Sequence, residues 1–125
     1  MKSGITILYV DDEHANLMSF NVLFSEKYNI ITGESGYVGL HLIEKNPCID
    51  VIISDMKMPG MNGIEFIQKV KERYTKFHYY ILTGYEKIPE IDNALRIGLI
   101  DNYFQKPFNF KEIESAITKR LNSPL

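Results

Sequence analysis

The chain has 125 residues, 45% hydrophobic and 24% charged, with 14 basic against 16 acidic side chains and a formal net charge of −2. That length and composition describe one globular domain with a core of its own rather than a disordered chain. The acidic balance argues against a dedicated nucleic-acid binder, the single Cys48 against a disulfide framework or a cysteine-rich zinc site, and the lack of an apolar run near ~18 residues against a membrane helix. The opening Met1-Lys2-Ser3-Gly4 leads into an apolar run too short for a secretory signal, so the expected location is cytoplasmic.

Five short strand-like runs recur, at 5–10, 28–32, 51–54, 78–82 and 101–105, with starts 23 to 27 residues apart. The first is apolar throughout and runs into Asp11 and Asp12. The second carries Asn29 and Thr32 and is followed by Gly33, Gly36 and Gly39, whose spacing is not that of a phosphate loop and which suit a turn and close helix–sheet packing. The third leads into Asp55, then a loop where Met56, Met58 and Met61 surround Pro59-Gly60 and read as adaptable packing. Gly63, Phe66, Ile67 and Val70 then repeat with helical period. The fourth run leads directly into Thr83. The fifth carries Asp101, Asn102 and Gln105 and ends at Lys106. A last helix follows, opened by Asn109 with Glu112 three residues on, with Ile113, Ala116, Ile117 and Leu121 on one face and the Arg120 stem along its edge. Asn122-Ser123-Pro124 stops it.

Strands alternating with helices at this spacing predict βαβ units and an α/β fold with a doubly wound, five-stranded parallel sheet. The first, third and fourth runs are apolar enough to be buried on both faces; the polar second and fifth belong at the edges. The order 2-1-3-4-5 satisfies both conditions.

In such a sheet, ligands bind beyond the carboxyl ends of the strands, where the strand order reverses. Asp11, Asp12, Asp55, Thr83 and Lys106 all fall at such ends. Helix capping could account for the two adjacent aspartates but leaves the other three unexplained. Three carboxylates in one cleft repel each other, and a hard divalent cation such as Mg²⁺, held by oxygen ligands, relieves that repulsion. A lysine and a threonine hydroxyl beside it suit a phosphoryl group carried on a carboxylate.

Four motifs stand in order on these strand ends: Val10-Asp11-Asp12-Glu13; Asp55-Met56-Lys57-Met58-Pro59-Gly60-Met61-Asn62-Gly63; Thr83-Gly84-Tyr85; and Tyr103-Phe104-Gln105-Lys106-Pro107-Phe108. Through them the chain resembles, over essentially its whole length, the receiver domains of response regulators in two-component phosphorelay systems. The resemblance implies a flavodoxin-like three-layer sandwich and a receiver spanning residues 1–125 with no output domain of its own. It implies Asp55 as phosphoacceptor, and Mg²⁺ held by Asp55, Asp12, Asp11 (directly or through water) and the backbone carbonyl of Lys57. Thr83 and Lys106 would stabilise the phosphoryl group, Thr83 and Tyr103 would form the switch, and Lys106-Pro107 would be a cis peptide bond. The side chains of Lys57 and Tyr85 would border the water that ends the phosphorylated state. The implied partners are a sensor histidine kinase or a histidine phosphotransfer protein. The downstream effector or linked output domain is left open, and so is a phosphorylation-dependent dimer. No direct contact with nucleic acid or membrane is expected, and no catalysis beyond the domain's own phosphorylation and dephosphorylation.

Two other readings compete. A pseudo-receiver, a phosphorylation-independent interaction module, need not keep the full set of Asp11, Asp12, Asp55, Thr83 and Lys106. A flavin carrier of the same architecture needs a Ser/Thr/Gly-rich loop after the first strand, which Asp11-Asp12-Glu13 does not supply. No nucleotide-hydrolysis motif occurs. His14, His41 and His78 are scattered, Cys48 reads as a passive, partly buried thiol, and the eight tyrosines and seven phenylalanines suit a core better than base stacking without a basic stripe.

Overall fold

The computed structural model describes residues 3–84 and 88–122. Ten elements alternate along the chain: β1 (Thr6–Val10), α1 (His14–Phe24), β2 (Asn29–Gly33), α2 (Gly36–Lys45), β3 (Val51–Asp55), α3 (Gly63–Arg73), β4 (His78–Thr83), α4 (Pro89–Arg96), β5 (Asn102–Gln105) and α5 (Phe110–Asn122). All four strand pairings are parallel, in the order β2-β1-β3-β4-β5. The strands read as continuously apolar are the central ones. β1 and β3 are buried along their whole length, whereas the polar β2 and β5 form the edges.

Side chains alternate across the sheet, and this alternation divides the core in two. Leu8, Val10, Ile52, Tyr79 and Ile81 face α2, α3 and α4, packing on Ile43, Phe66, Ile67, Ile91 and Ala94. Ile7, Tyr9, Ile53, Tyr80 and Leu82 face α1 and α5, packing on Phe20, Phe24, Ile113 and Ile117. Each of these fully buried large side chains contributes about 1.5–3 kcal/mol relative to exposure. Met56, Met58 and Met61 lie in the first layer, as expected of flexible gap-filling side chains.

Glycine sets how closely helices approach. A Cβ at Gly39 would stand 2.8 Å from the Phe66 ring, and one at Gly63 would stand 2.4 Å from the Asp55 carbonyl oxygen. The second contact lets α3 begin directly against the end of β3. Asn62 caps α3 in a complete capping box with Glu65, a start signal the sequence reading passed over. At α5 the Asn109 side chain accepts from the Glu112 N–H at 3.0 Å, half of the reciprocal pair expected there. Two expectations need correction. Cys48 is exposed, because it sits in the short turn after α2 rather than on a packed face. Arg120 does more than cover apolar surface: its Nη2 pairs with Asp101 Oδ1 at 2.9 Å. Among the described residues, no helix is long and apolar enough to cross a membrane.

Candidate functional site

β1, β3, β4 and β5 all run in one direction, so their carboxyl ends meet on one rim. Asp55 closes β3, Thr83 closes β4, Asp11 follows β1 directly, and Lys106 follows β5. The backbone ties these ends together. The Lys106 N–H donates to the Thr83 carbonyl at 2.8 Å, the Met56 N–H to the Leu82 carbonyl at 2.9 Å, and the Gly63 N–H to the Met56 carbonyl at 2.9 Å. Gly60 turns the intervening loop at φ 80°, a conformation open to glycine without strain. The Lys106-Pro107 peptide is cis.

The side chains converge as the sequence pattern predicts. One carboxylate oxygen from each of Asp11, Asp12 and Asp55 lies within 4.8 Å of the others. Asp11 and Asp55 are buried, whereas Asp12 is exposed at the mouth. The Lys106 ammonium bridges the two buried members, 2.9 Å from Asp55 Oδ1 and 3.3 Å from Asp11 Oδ2. Asp12, Asp55, Lys57, Gly84 and Lys106 line one open groove. Thr83 is buried beneath it. Tyr103 is half-buried and packs against the layer formed with α2, α3 and α4. Tyr85, the other residue expected to border the hydrolytic water, lies outside the described residues.

Burial pushes the Asp55 carboxyl up to about 6 from 3.8; the hydrogen bond and charge of Lys106 oppose the shift, and the charges of Asp11 and Asp12 add to it. Burial alone would lower Lys106, but its hydrogen bonds and charge interactions with Asp55 and Asp11 hold it above its usual value. Three carboxylates gathered this closely repel one another, and a divalent cation with oxygen ligands would relieve that repulsion. The all-oxygen donor set fits Mg²⁺ chemistry.

Asp11 is not a helix cap. The N-cap of α1 is Glu13, and Asp11 instead collects four donors. Its Oδ1 accepts from the Glu13 N–H at 2.9 Å; its Oδ2 accepts from the Tyr9 hydroxyl at 2.5 Å, from Asn16 Nδ2 at 3.1 Å and from Lys106. Tyr9 and Asn16 were absent from the sequence-derived site. Burial and the neighbouring Asp11 raise the Tyr9 phenol far above its usual value, which keeps it a donor. A signal for it did exist: residues i and i+2 of a strand share a face, so a tyrosine two positions before a site carboxylate can reach it.

Comparison with known proteins agrees with this geometry. The family model of the response regulator receiver domain matches residues 7–118. Sporulation initiation phosphotransferase F of Bacillus subtilis is 32% identical over 116 residues, covering 92% of both chains. Histidine kinase P4 of Formosa agariphila is 34% identical over 124 residues, which are 98% of this chain but only 9% of that protein. Among solved structures, a response regulator receiver domain protein from Clostridium thermocellum superposes with a TM-score of 0.87 at 29% identity over 94% of each chain.

Proposed function

The chain belongs to the response regulator receiver domain family, and from that premise we propose that it is a phosphorylation switch in which Asp55 accepts a phosphoryl group from a partner's phosphohistidine. The observation that carries this reading is the buried Asp55 carboxylate at the end of β3, held 2.9 Å from the Lys106 ammonium beside two further aspartates. In the transfer, the P–N bond to the donor imidazole breaks as a P–O bond forms to an Asp55 oxygen. The departing imidazole keeps the electron pair and takes up a proton.

Such a transfer needs placement and charge stabilisation more than covalent help. Lys106 pairs with the transferred oxygens, and the Thr83 hydroxyl donates to them. Asp11, Asp12, Asp55 and the Lys57 carbonyl are the groups that would hold Mg²⁺. When bound, that ion neutralises charge on the phosphoryl oxygens. The partner is a sensor histidine kinase or a histidine phosphotransfer protein, and the exposed Met18, Val22 and Leu23 of α1 offer apolar surface. The output is a change in the face formed by α4, β5 and α5, transmitted from Thr83 through Tyr103. The domain catalyses only its own phosphorylation and dephosphorylation, and the Lys57 and Tyr85 side chains set how fast water removes the phosphate.

The test is incubation with acetyl phosphate and MgCl₂, followed by intact mass and peptide mapping. One phosphate on Asp55 is expected, with uptake reduced at least about 100-fold in Asp55→Asn, roughly 3 kcal/mol of barrier. Undiminished uptake in that variant would overturn the assignment.

A further inference from the structure

We propose that Tyr9 is a positioning residue for this transfer: by occupying Asp11 Oδ2 its hydroxyl leaves Lys106 to Asp55 and restrains the grip of the acidic cluster on a divalent cation. The proposal rests on the reading of Asp55 as phosphoacceptor.

The Tyr9 ring is closely packed. It is fully buried, stacks on Phe20 with centroids 4.3 Å apart and planes 21° apart, and meets the edge of Phe108 at 5.7 Å and 86°. Phe108 lies two residues beyond Lys106, so one ring braces both β1 and the segment carrying the lysine. Its hydroxyl leaves the core at one point, 2.5 Å from Asp11 Oδ2.

That oxygen is oversubscribed. A carboxylate oxygen has two lone pairs, yet Asp11 Oδ2 faces three donors, with Asn16 Nδ2 at 3.1 Å and Lys106 Nζ at 3.3 Å behind the phenol. The shortest bond belongs to Tyr9, and the ammonium, held off at 3.3 Å, stands closer to Asp55 at 2.9 Å. Without the phenol, Lys106 has room to move onto Asp11, away from the atom that receives the phosphoryl group. The same loss strips one donor dipole from the cluster wherever the ammonium sits, and leaves the carboxylates together more negative toward a cation. The Glu13 N–H, Asn16 and Lys106 still fix the position of Asp11, so the change is one of charge more than of geometry.

Tyr9→Phe isolates the effect, because the ring contacts remain and only the oxygen goes. Two quantities are read: the Mg²⁺ dissociation constant by titration calorimetry, and the rate of Asp55 phosphorylation by acetyl phosphate at saturating Mg²⁺. We expect Mg²⁺ to bind about threefold more tightly and phosphorylation to slow about fivefold, the size expected for loss of one hydrogen bond to a charged group shared among several donors. Opposed shifts are the signature, since a loosened fold would weaken both. Asn16→Ala removes a longer bond to the same oxygen from a tolerant helix position and should give the same opposed pair at smaller amplitude, which keeps the question open to decision if Tyr9→Phe folds poorly. Parallel shifts, or no shift, would overturn the proposal. Failure of the wild-type protein to take up phosphate would instead overturn the reading of Asp55, while the cation titration would still decide the role of Tyr9.

Discussion

At the amino ends of the strands, Asp50 and Asp101 stand just before β3 and β5; at the carboxyl ends, Asp11, Asp12 and Asp55 stand at or just beyond β1 and β3. The first pair is used to close the sheet. The Asp50 N–H donates to the Thr6 carbonyl at 2.9 Å while its Oδ2 accepts the Thr6 N–H at 2.9 Å, and Asp101 makes the same two-bond clamp on Tyr79, both at 2.8 Å. Arg120 adds an ion pair to Asp101, and His78 Nδ1 stands 3.8 Å from it. In the second group the Lys106 ammonium is shared by the two buried carboxylates, Asp11 and Asp55, with the exposed Asp12 beside them. Acidic side chains at one end are therefore structural, with donors assigned to them by the fold. At the other end three carboxylates are held close enough to repel one another, a repulsion that a bound cation would relieve.

Substituting at each end should change stability with opposite sign. Asp101→Ala leaves the Tyr79 N–H without its acceptor and Arg120 without its partner, so the unfolding free energy should fall by about 2–3 kcal/mol. Urea denaturation measures it, and a loss under about 0.5 kcal/mol would mean the clamp is not structural.

Asp55→Asn should do the reverse. Because folding raises this carboxyl from 3.8 to about 6, the native state holds the proton more tightly than the unfolded chain does. The stability this contributes is complete below pH 3.8 and is lost as pH rises through about 6. At pH 7 without divalent cations, removing the charge should therefore stabilise the protein by about 2 kcal/mol. The gain should vanish as the pH is brought below about 4. Denaturation curves at pH 7 and pH 4 decide this; a gain that persists at the lower pH would contradict it.

A smaller effect should come from the cation itself. MgCl₂ at several times its dissociation constant should stabilise the wild-type fold by about 1 kcal/mol, since the site exists only in the folded state. Thermal melts of wild type, Asp12→Ala and Asp101→Ala would show whether the increment belongs to the carboxyl end. It should shrink in the first variant and persist in the second. Least of all should come from Arg120→Ala, under about 1 kcal/mol, because the guanidinium is largely exposed and such pairs contribute little. A cost equal to that of Asp101→Ala would assign the clamp's strength to the ion pair rather than to the backbone bond.

Much of this was legible beforehand. The apolar runs placed all five strands to within one or two residues, and the polarity of the second and fifth predicted the edges that the sheet shows. The boundaries shifted where ladder pairing overrode hydropathy. Ile5 and Tyr28 fall outside the strands, while Asp55 and Thr83 lie within them because they pair with Leu82 and Gln105. Tyr9 was hidden because its ring satisfies the apolar pattern of β1, which masks the two-residue spacing to Asp11 that signals its phenol. The Asp50 and Asp101 clamps were hidden for a related reason, since each bonds to a strand that is its neighbour only once the sheet has formed.

By itself, the sequence determined the alternation of strands and helices, the strand order and the polar residues gathered at one rim. These follow from short-range periodicity and from the rule that parallel strands present their carboxyl ends together. Tertiary structure alone decided how the donors were shared: four to Asp11, the nearer side of Lys106 to Asp55, and separate clamps to the acids at the far end. The reason is geometric. Hydrogen-bond strength falls steeply with distance and angle, so which carboxylate receives which donor depends on placements of a few tenths of an ångström, and those are set by packing such as that of the Tyr9 ring between Phe20 and Phe108.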